Sequence, residues 1–383
     1  MGSEVVASML SFGSGFLGYL IPFLFVLTIV VFFHELGHFL VARWVGVKVL
    51  VFSVGFGPEL LGFNDRHGTR WKLSAIPLGG YVKFFGDQNA ASVPDQEAAA
   101  AMTPEEREQS FVHKSLPRRA AVVAAGPIAN FILAILIFAG IFMLYGKPST
   151  SPRVDTVQAG SAAEAAGFKS GDIILSINGR EIETFADMQR VVSGSAGQTL
   201  AVAVNRAGEN LVLKAVPELK ETKDSFGNVH RMGMLGISRS MSDDDQKLEK
   251  APPLTALKLG VAETWFVIDR TMSYLGGIIV GRESADQLGG PIRIAQVSGQ
   301  VATVGMVALV HLTAVLSVSI GLLNLFPIPL LDGGHLLFYA AEAIRGKPLS
   351  ERVQELGFRV GLAIVLMLMI FATFNDITHL FRS

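Results

Sequence analysis

The chain has 383 residues, is 50% hydrophobic and only 17% charged, and has a mean hydropathy of +0.45; such a composition is too apolar for an ordinary soluble protein and predicts membrane spans. A net charge of −1 offers no basic footprint for nucleic acid. With no cysteine, disulfides, thiolate metal sites and a cysteine nucleophile are excluded, so any metal must be held by His, Asp or Glu.

Residues 1–46 hold the first predicted span, roughly Leu17–Ala42. No other charge interrupts it from Val5 to Phe33, yet it ends in HELGH, His34 to His38. Ionisable groups inside a membrane are costly and mark function. A cleaved signal peptide is not expected, because there is no basic region ahead of the apolar run. Residues 47–118 read as a membrane-associated β region and a loop. Two β-rich runs flank the turn NDRHG between Val47 and Phe85, and the stretch Asp87–Glu108, rich in Ala, Gln and Glu, reads as a mobile loop. The second span lies in 119–147, uncharged from Ala120 to Gly146.

Residues 148–240 have the composition of a soluble α+β domain, with strand-like and helix-like runs in alternation. Residues 241–300 include an amphipathic segment, Pro252–Gly281, expected to lie along a membrane surface. Residues 301–383 carry the third span, within Ile294–Leu331, and the fourth, roughly Leu356–Asn375. Arg43, Lys48, Lys114, Arg118 and Arg119 flank spans one and two on one side, and Arg345, Lys347 and Arg352 lie between spans three and four. The positive-inside rule puts those loops in the cytoplasm, and both termini and the 148–240 domain outside.

On a helix, His34 and His38 face the same way, a spacing at which two imidazoles can grip one zinc ion while Glu35 holds a water against it. A catalytic zinc needs a third protein ligand and an open position. The best candidate is Asp332 in NLFPIPLLDGGH, at the end of span three; its inner end should reach the depth of HELGH, since spans one and three run in the same direction. Pro327 and Pro329 cannot sustain a regular helix there, which predicts unwound backbone beside a cavity. His335, one turn further on, is the alternative third ligand.

Together FFHELGHFLVAR, LGGYVKFFGD, AAGPIANF, GGPIRIAQ and NLFPIPLLDGGHLLF resemble the site-2 protease family of intramembrane zinc metalloproteases, and most closely its bacterial regulator-of-sigma-E protease group. The run SAAEAAGFKSGDIILSINGREI resembles a PDZ domain, and the chain has room for one. The resemblance implies an α-helical membrane protein of four transmembrane helices with a membrane-associated β sheet and one inserted PDZ domain. By position it makes His34, His38 and Asp332 zinc ligands, Glu35 the catalytic acid/base, and Asn324 and Asn130 substrate-positioning residues. It implies single-span membrane protein substrates, such as anti-sigma factors or remnant signal peptides. It also implies a bacterial inner-membrane location, with the active site near the cytoplasmic face and the PDZ domain acting as a size filter or reading a substrate terminus. An extended substrate would pair with the Lys72–Phe84 strand. A metal-dependent transport protein and an inactive scaffold are the competing readings; an acid/base beside the ligands argues against the first, and intact HExxH and LDGG against the second.

Overall fold

The structure, a computed structural model, describes residues 2–87, 101–148, 151–223, 229–239, 248–281, 284–285 and 288–382. Helix α1 (Gly2–Trp44) contains the first candidate span, Leu17–Trp44. Strands β1 (Val49–Asn64) and β2 (Arg70–Phe84), the short α2 (Pro104–Gln109) and α3 (Leu116–Leu144), the second span, follow. Next come β3 (Lys147–Pro148), β4 (Thr156–Val157), α4 (Ala162–Ala165), β5 (Ile173–Ile177), β6 (Arg180–Glu181) and α5 (Phe185–Ser193). Strands β7 (Leu200–Arg206), β8 (Glu209–Ala215), β9 (Glu218–Lys223), β10 (Val229–Met234), β11 (Ile237–Ser238) and β12 (Leu248–Glu249) complete the β elements. The chain ends with α6 (Pro253–Ile279), α7 (Pro291–Val304), α8 (Met306–Asn324, the third span), α9 (Asp332–Arg345) and α10 (Glu351–Arg382), which holds the fourth span, Arg352–Thr378.

Among the described residues four helices are long and apolar enough to cross a membrane, at the places the hydropathy pattern predicts. The described chain forms two compact units, one of Met1–Phe138, Gly260–Ile268 and Ser284–Arg382, the other of Ala139–Leu259 and Asp269–Glu283.

In the first unit, β1 and β2 each fold back on themselves. Val51–Val54 is flanked on one side by Gly80–Lys83, running the opposite way, and on the other by Arg70–Leu73, which in turn pairs with Leu61–Asn64. Gly80–Phe84 is thus the outer strand, and its other edge has no strand partner among the described residues. Asp65 fixes the turn: its carboxylate accepts from the backbone N–H groups of His67 and Thr69 and pairs with Arg43 of α1 at 2.9 Å. Phe39, Phe52, Val82, Phe84, Phe111 and Val122 bury the sheet against α1 and α3.

Of the loop expected over Asp87–Glu108, residues 88–100 lie outside the described residues. The remainder departs from that expectation: Thr103 and Glu106 form a reciprocal capping box that starts α2. Composition suggested a loop, but T-P-E-E is a helix start, with proline placed where no backbone donor is needed.

Asp376, buried in α10, accepts from the backbone N–H groups of Gly290, Ile292 and Arg293 at 2.8, 3.0 and 3.1 Å. It therefore satisfies donors at the N-terminus of α7, which no side chain of α7's own cap does. Asn375 donates to the Ala285 carbonyl at 3.0 Å, fastening the same junction.

The second unit holds an antiparallel sheet in the order β6-β5-β7-β8. Its core is built from Val154, Phe168, Ile174, Ile177, Val202 and Val204, closed by Met188 and Val192 of α5. The fully buried Asp172 carboxylate takes a two-pronged contact from Arg206, at 2.7 and 2.8 Å, and the Lys169 backbone N–H at 2.9 Å. Burial alone would raise the Asp172 carboxyl, but these donors outweigh it and hold it below its ordinary value. β3 and β12 pair with each other, joining the stretches where this unit's chain enters and leaves.

Candidate metal centre

The apolar sequence of α1 makes it a helix, and the helix puts His34 and His38 on one face, with rings 4.8 Å apart. Asp332 arrives from the far end of the chain. Helix α8 stops at Asn324, the segment holding Pro327 and Pro329 is not helical, and α9 begins at Asp332. Within that segment Leu330 takes a left-handed backbone, φ +90°, a strained state for a bulky residue and one found mostly at functional sites.

Three ligand-capable atoms converge. His34 Nε2 and His38 Nε2 are 3.2 Å apart, and the Asp332 carboxylate puts Oδ2 3.2 Å from the first and Oδ1 3.5 Å from the second. A tetrahedral zinc with bonds near 2.0–2.1 Å has ligand–ligand edges of about 3.3 Å, close to the separation of the two imidazole nitrogens, and one ligand atom from each of the three residues lies within 4.8 Å of the others. Asp332 Oδ2 is buried and, despite its closeness to His34, completes no hydrogen bond among the described residues. That geometry aims the atoms at a shared point between them, and the donor set therefore fits a metal ion. Burial would raise the Asp332 carboxyl, but the facing imidazoles of His38 and His34 outweigh it and hold it below the carboxylate range, in the ionised form a ligand requires.

Each imidazole is oriented from behind. The His38 Nδ1 donates to the Val122 carbonyl at 2.9 Å, leaving Nε2 for the metal. The His34 Nδ1 lies 3.3 Å from the side-chain amide of Asn130, whose Oδ1 is otherwise buried without a partner. Exchanging the oxygen and nitrogen of that amide lets Oδ1 accept from the His34 Nδ1–H, which leaves Nε2 free to ligate. Asn130 is fully buried; its side chain meets His34, and its carbonyl accepts from the Ser317 hydroxyl at 2.8 Å. The Asn130 side chain thus lies against the His34 imidazole. Gly126, one turn earlier on α3, makes room for the pair: a Cβ there would sit 2.3 Å from His38 Nε2.

The centre opens into a cavity of about 220 Å³ whose walls include Glu35, Gly80, Val82, Asn324 and His335. Glu35 sits beside the ligands, with the Val82 backbone against its carboxylate. Gly80 permits that approach, since a Cβ there would meet Glu35 Cγ at 3.0 Å and Ser53 O at 2.7 Å. Asn324 lines the cavity and donates to the Ile320 carbonyl at 3.0 Å, leaving its Oδ1 as an acceptor. His335 lines the cavity but falls outside the ligand cluster, and burial pushes its imidazole below its ordinary value. Arg119 at the start of α3 pairs with Glu342 at 2.5 Å and lies over the Tyr339 ring, fixing α9 and so the height of Asp332.

Helices long and apolar enough to cross a membrane, around a largely buried His-His-Asp cluster with an adjacent carboxylate, have the architecture of a membrane metallohydrolase. The chain matches peptidase family M50 over residues 22–368, and it belongs to that family. It is 54% identical over 368 residues to "Putative zinc metalloprotease Atu1380" of Agrobacterium fabrum, an alignment covering 96% of this chain and 98% of that protein. It is 42% identical over 388 residues to "Metalloprotease MmpA" of Caulobacter vibrioides, covering 95% and 96% of the two chains.

Proposed function

We propose that this protein is an intramembrane zinc metalloprotease of the site-2 type, hydrolysing a peptide bond within the membrane-spanning segment of single-span membrane proteins. The observation that carries the reading is the convergence, in one cavity among membrane-spanning helices, of three ligand atoms, a carboxylate and an unpaired strand edge. His34, His38 and Asp332 would hold the zinc. Zinc, when bound, supplies Lewis-acid polarisation of a carbonyl and acidification of water. Glu35 takes the proton of the attacking water and delivers it to the leaving amide nitrogen. A peptide bond in a substrate helix is shielded by its own hydrogen bonds, so the substrate must be extended before attack. The outer edge of Gly80–Phe84 binds that extended stretch by strand addition, and Asn324 Oδ1 accepts from its backbone.

The charge pattern of the loops supports a bacterial inner-membrane orientation with HELGH near the cytoplasmic face and both termini outside. The α+β unit built on β5–β8 is read as a single PDZ domain outside the membrane, which screens substrates by size or by a newly made terminus and takes no part in the chemistry. Reconstitution with a tagged single-span substrate, with and without a zinc chelator, tests the reading. Products cut inside the span, abolished by the chelator, are expected. Zinc flux across the vesicle without cleavage would overturn it in favour of transport.

A further inference from the structure

A zinc peptidase must stabilise the negative charge that grows on the carbonyl oxygen under attack, and a positioned hydrogen-bond donor does this well. Several polar groups around the cavity are already committed: His34, His38 and Asp332 as ligands, Glu35 as an acceptor, and one N–H of the Asn324 amide to the Ile320 carbonyl. His335 offers a further donor beside them. It projects one turn along α9 from Asp332 and lines the same cavity as Glu35 and Asn324. Among the described residues nothing hydrogen-bonds its imidazole, and its nitrogens lie outside the ligand cluster. What holds the ring is an aromatic neighbour, Phe358 of α10, at 5.5 Å between centroids. An imidazole offers an N–H donor whether neutral or protonated.

Resting on the protease reading above, we propose that His335 donates a hydrogen bond to the oxygen of the scissile carbonyl and stabilises the oxyanion as the tetrahedral adduct forms. His335 keeps its proton throughout; the proton of the attacking water passes through Glu35 to the leaving nitrogen, so the two residues divide the work.

The test compares two substitutions in the full-length protein in proteoliposomes, with Glu35→Gln as the reference for lost cleavage. His335→Phe keeps the packing against Phe358 and removes the donor; His335→Gln restores a donor. His335→Phe should keep full zinc on elemental analysis and lose about 100-fold or more in kcat, with KM within about threefold of wild type. Its affinity for a phosphinic peptide mimic of the adduct should fall in parallel, while affinity for an uncleavable substrate analogue stays. His335→Gln should recover at least tenfold of the lost kcat. The proposal is overturned by wild-type kcat in His335→Phe, by zinc loss in either variant, or by a Gln variant as slow as the Phe variant. Failure of the protease reading would show differently, as no cleavage by the wild type or undiminished cleavage by Glu35→Gln.

Discussion

The metal-centred cavity and the inserted α+β unit solve opposite problems. The cavity gathers residues from α1, α3, α8, α9 and the outer strand of the sheet, and three of its polar groups are held by a neighbour from another element: His38 by Val122, His34 by Asn130, Glu35 by Val82. The inserted unit is built from consecutive strands, and its one deeply buried charge, Asp172, is neutralised by Arg206 within the same unit. In the first region three ligand-capable side chains face one another; in the second the buried Asp172 carboxylate meets donors from Arg206 and Lys169. Polar substitutions should therefore disturb function before stability in the cavity, and stability without touching chemistry in the insert.

The strongest test of that contrast removes a ligand. Asp332→Ala should lose bound zinc and cleavage by at least about 1,000-fold. Elemental analysis beside a cleavage assay checks it; full zinc in this variant would transfer the third-ligand role elsewhere. Asp172→Ala should leave cleavage of a short substrate unchanged while destabilising the insert by about 2–3 kcal/mol, read by hydrogen exchange within the full chain. Because the folded-state value of Asp172 is depressed, its contribution is full above the unfolded carboxyl's pKa of about 3.9 and is lost as pH falls through the folded value. The difference between wild type and variant should accordingly shrink in acid, and a gap that persists at low pH would contradict the assignment. Asn130→Ala should weaken zinc affinity by about 10–100-fold, measured by chelator competition, with KM little changed; a selective rise in KM would restore the substrate contact that the resemblance implied. The smallest effect expected is Asp376→Ala, a loss of about 1–2 kcal/mol in thermal stability from uncapping α7. An unchanged melting temperature would show that water replaces the carboxylate.

Periodicity and motif made much of this legible. The four spans, the hairpin around NDRHG, the break at Pro327 and Pro329, and the ligand candidates His34, His38 and Asp332 all follow from local pattern and spacing. What escaped depends on distances between residues far apart in the chain. AAGPIANF carries part of the family resemblance, but only the crossing of α1 and α3 shows that Gly126 clears space for two imidazoles and that Asn130 contacts His34. Nothing near Asp376 in sequence announces a helix start 80-odd residues earlier, because the cap is supplied across a tertiary contact. The fold-back of β1 and β2, which leaves Gly80–Phe84 with one edge that no strand covers among the described residues, is likewise a matter of register that alternation alone does not encode. The capping box at Thr103 is a local signal inside a stretch whose composition is that of a loop.

The most direct measurement is single-turnover cleavage of a tagged single-span substrate by Glu35→Gln, with zinc content determined on the same preparation. Glu35 touches the cavity beside the ligands without belonging to them. Full zinc occupancy with cleavage slowed by at least about 1,000-fold is expected. Wild-type cleavage with full zinc would contradict the assignment of Glu35 as the acid/base and with it the proposed peptidase mechanism.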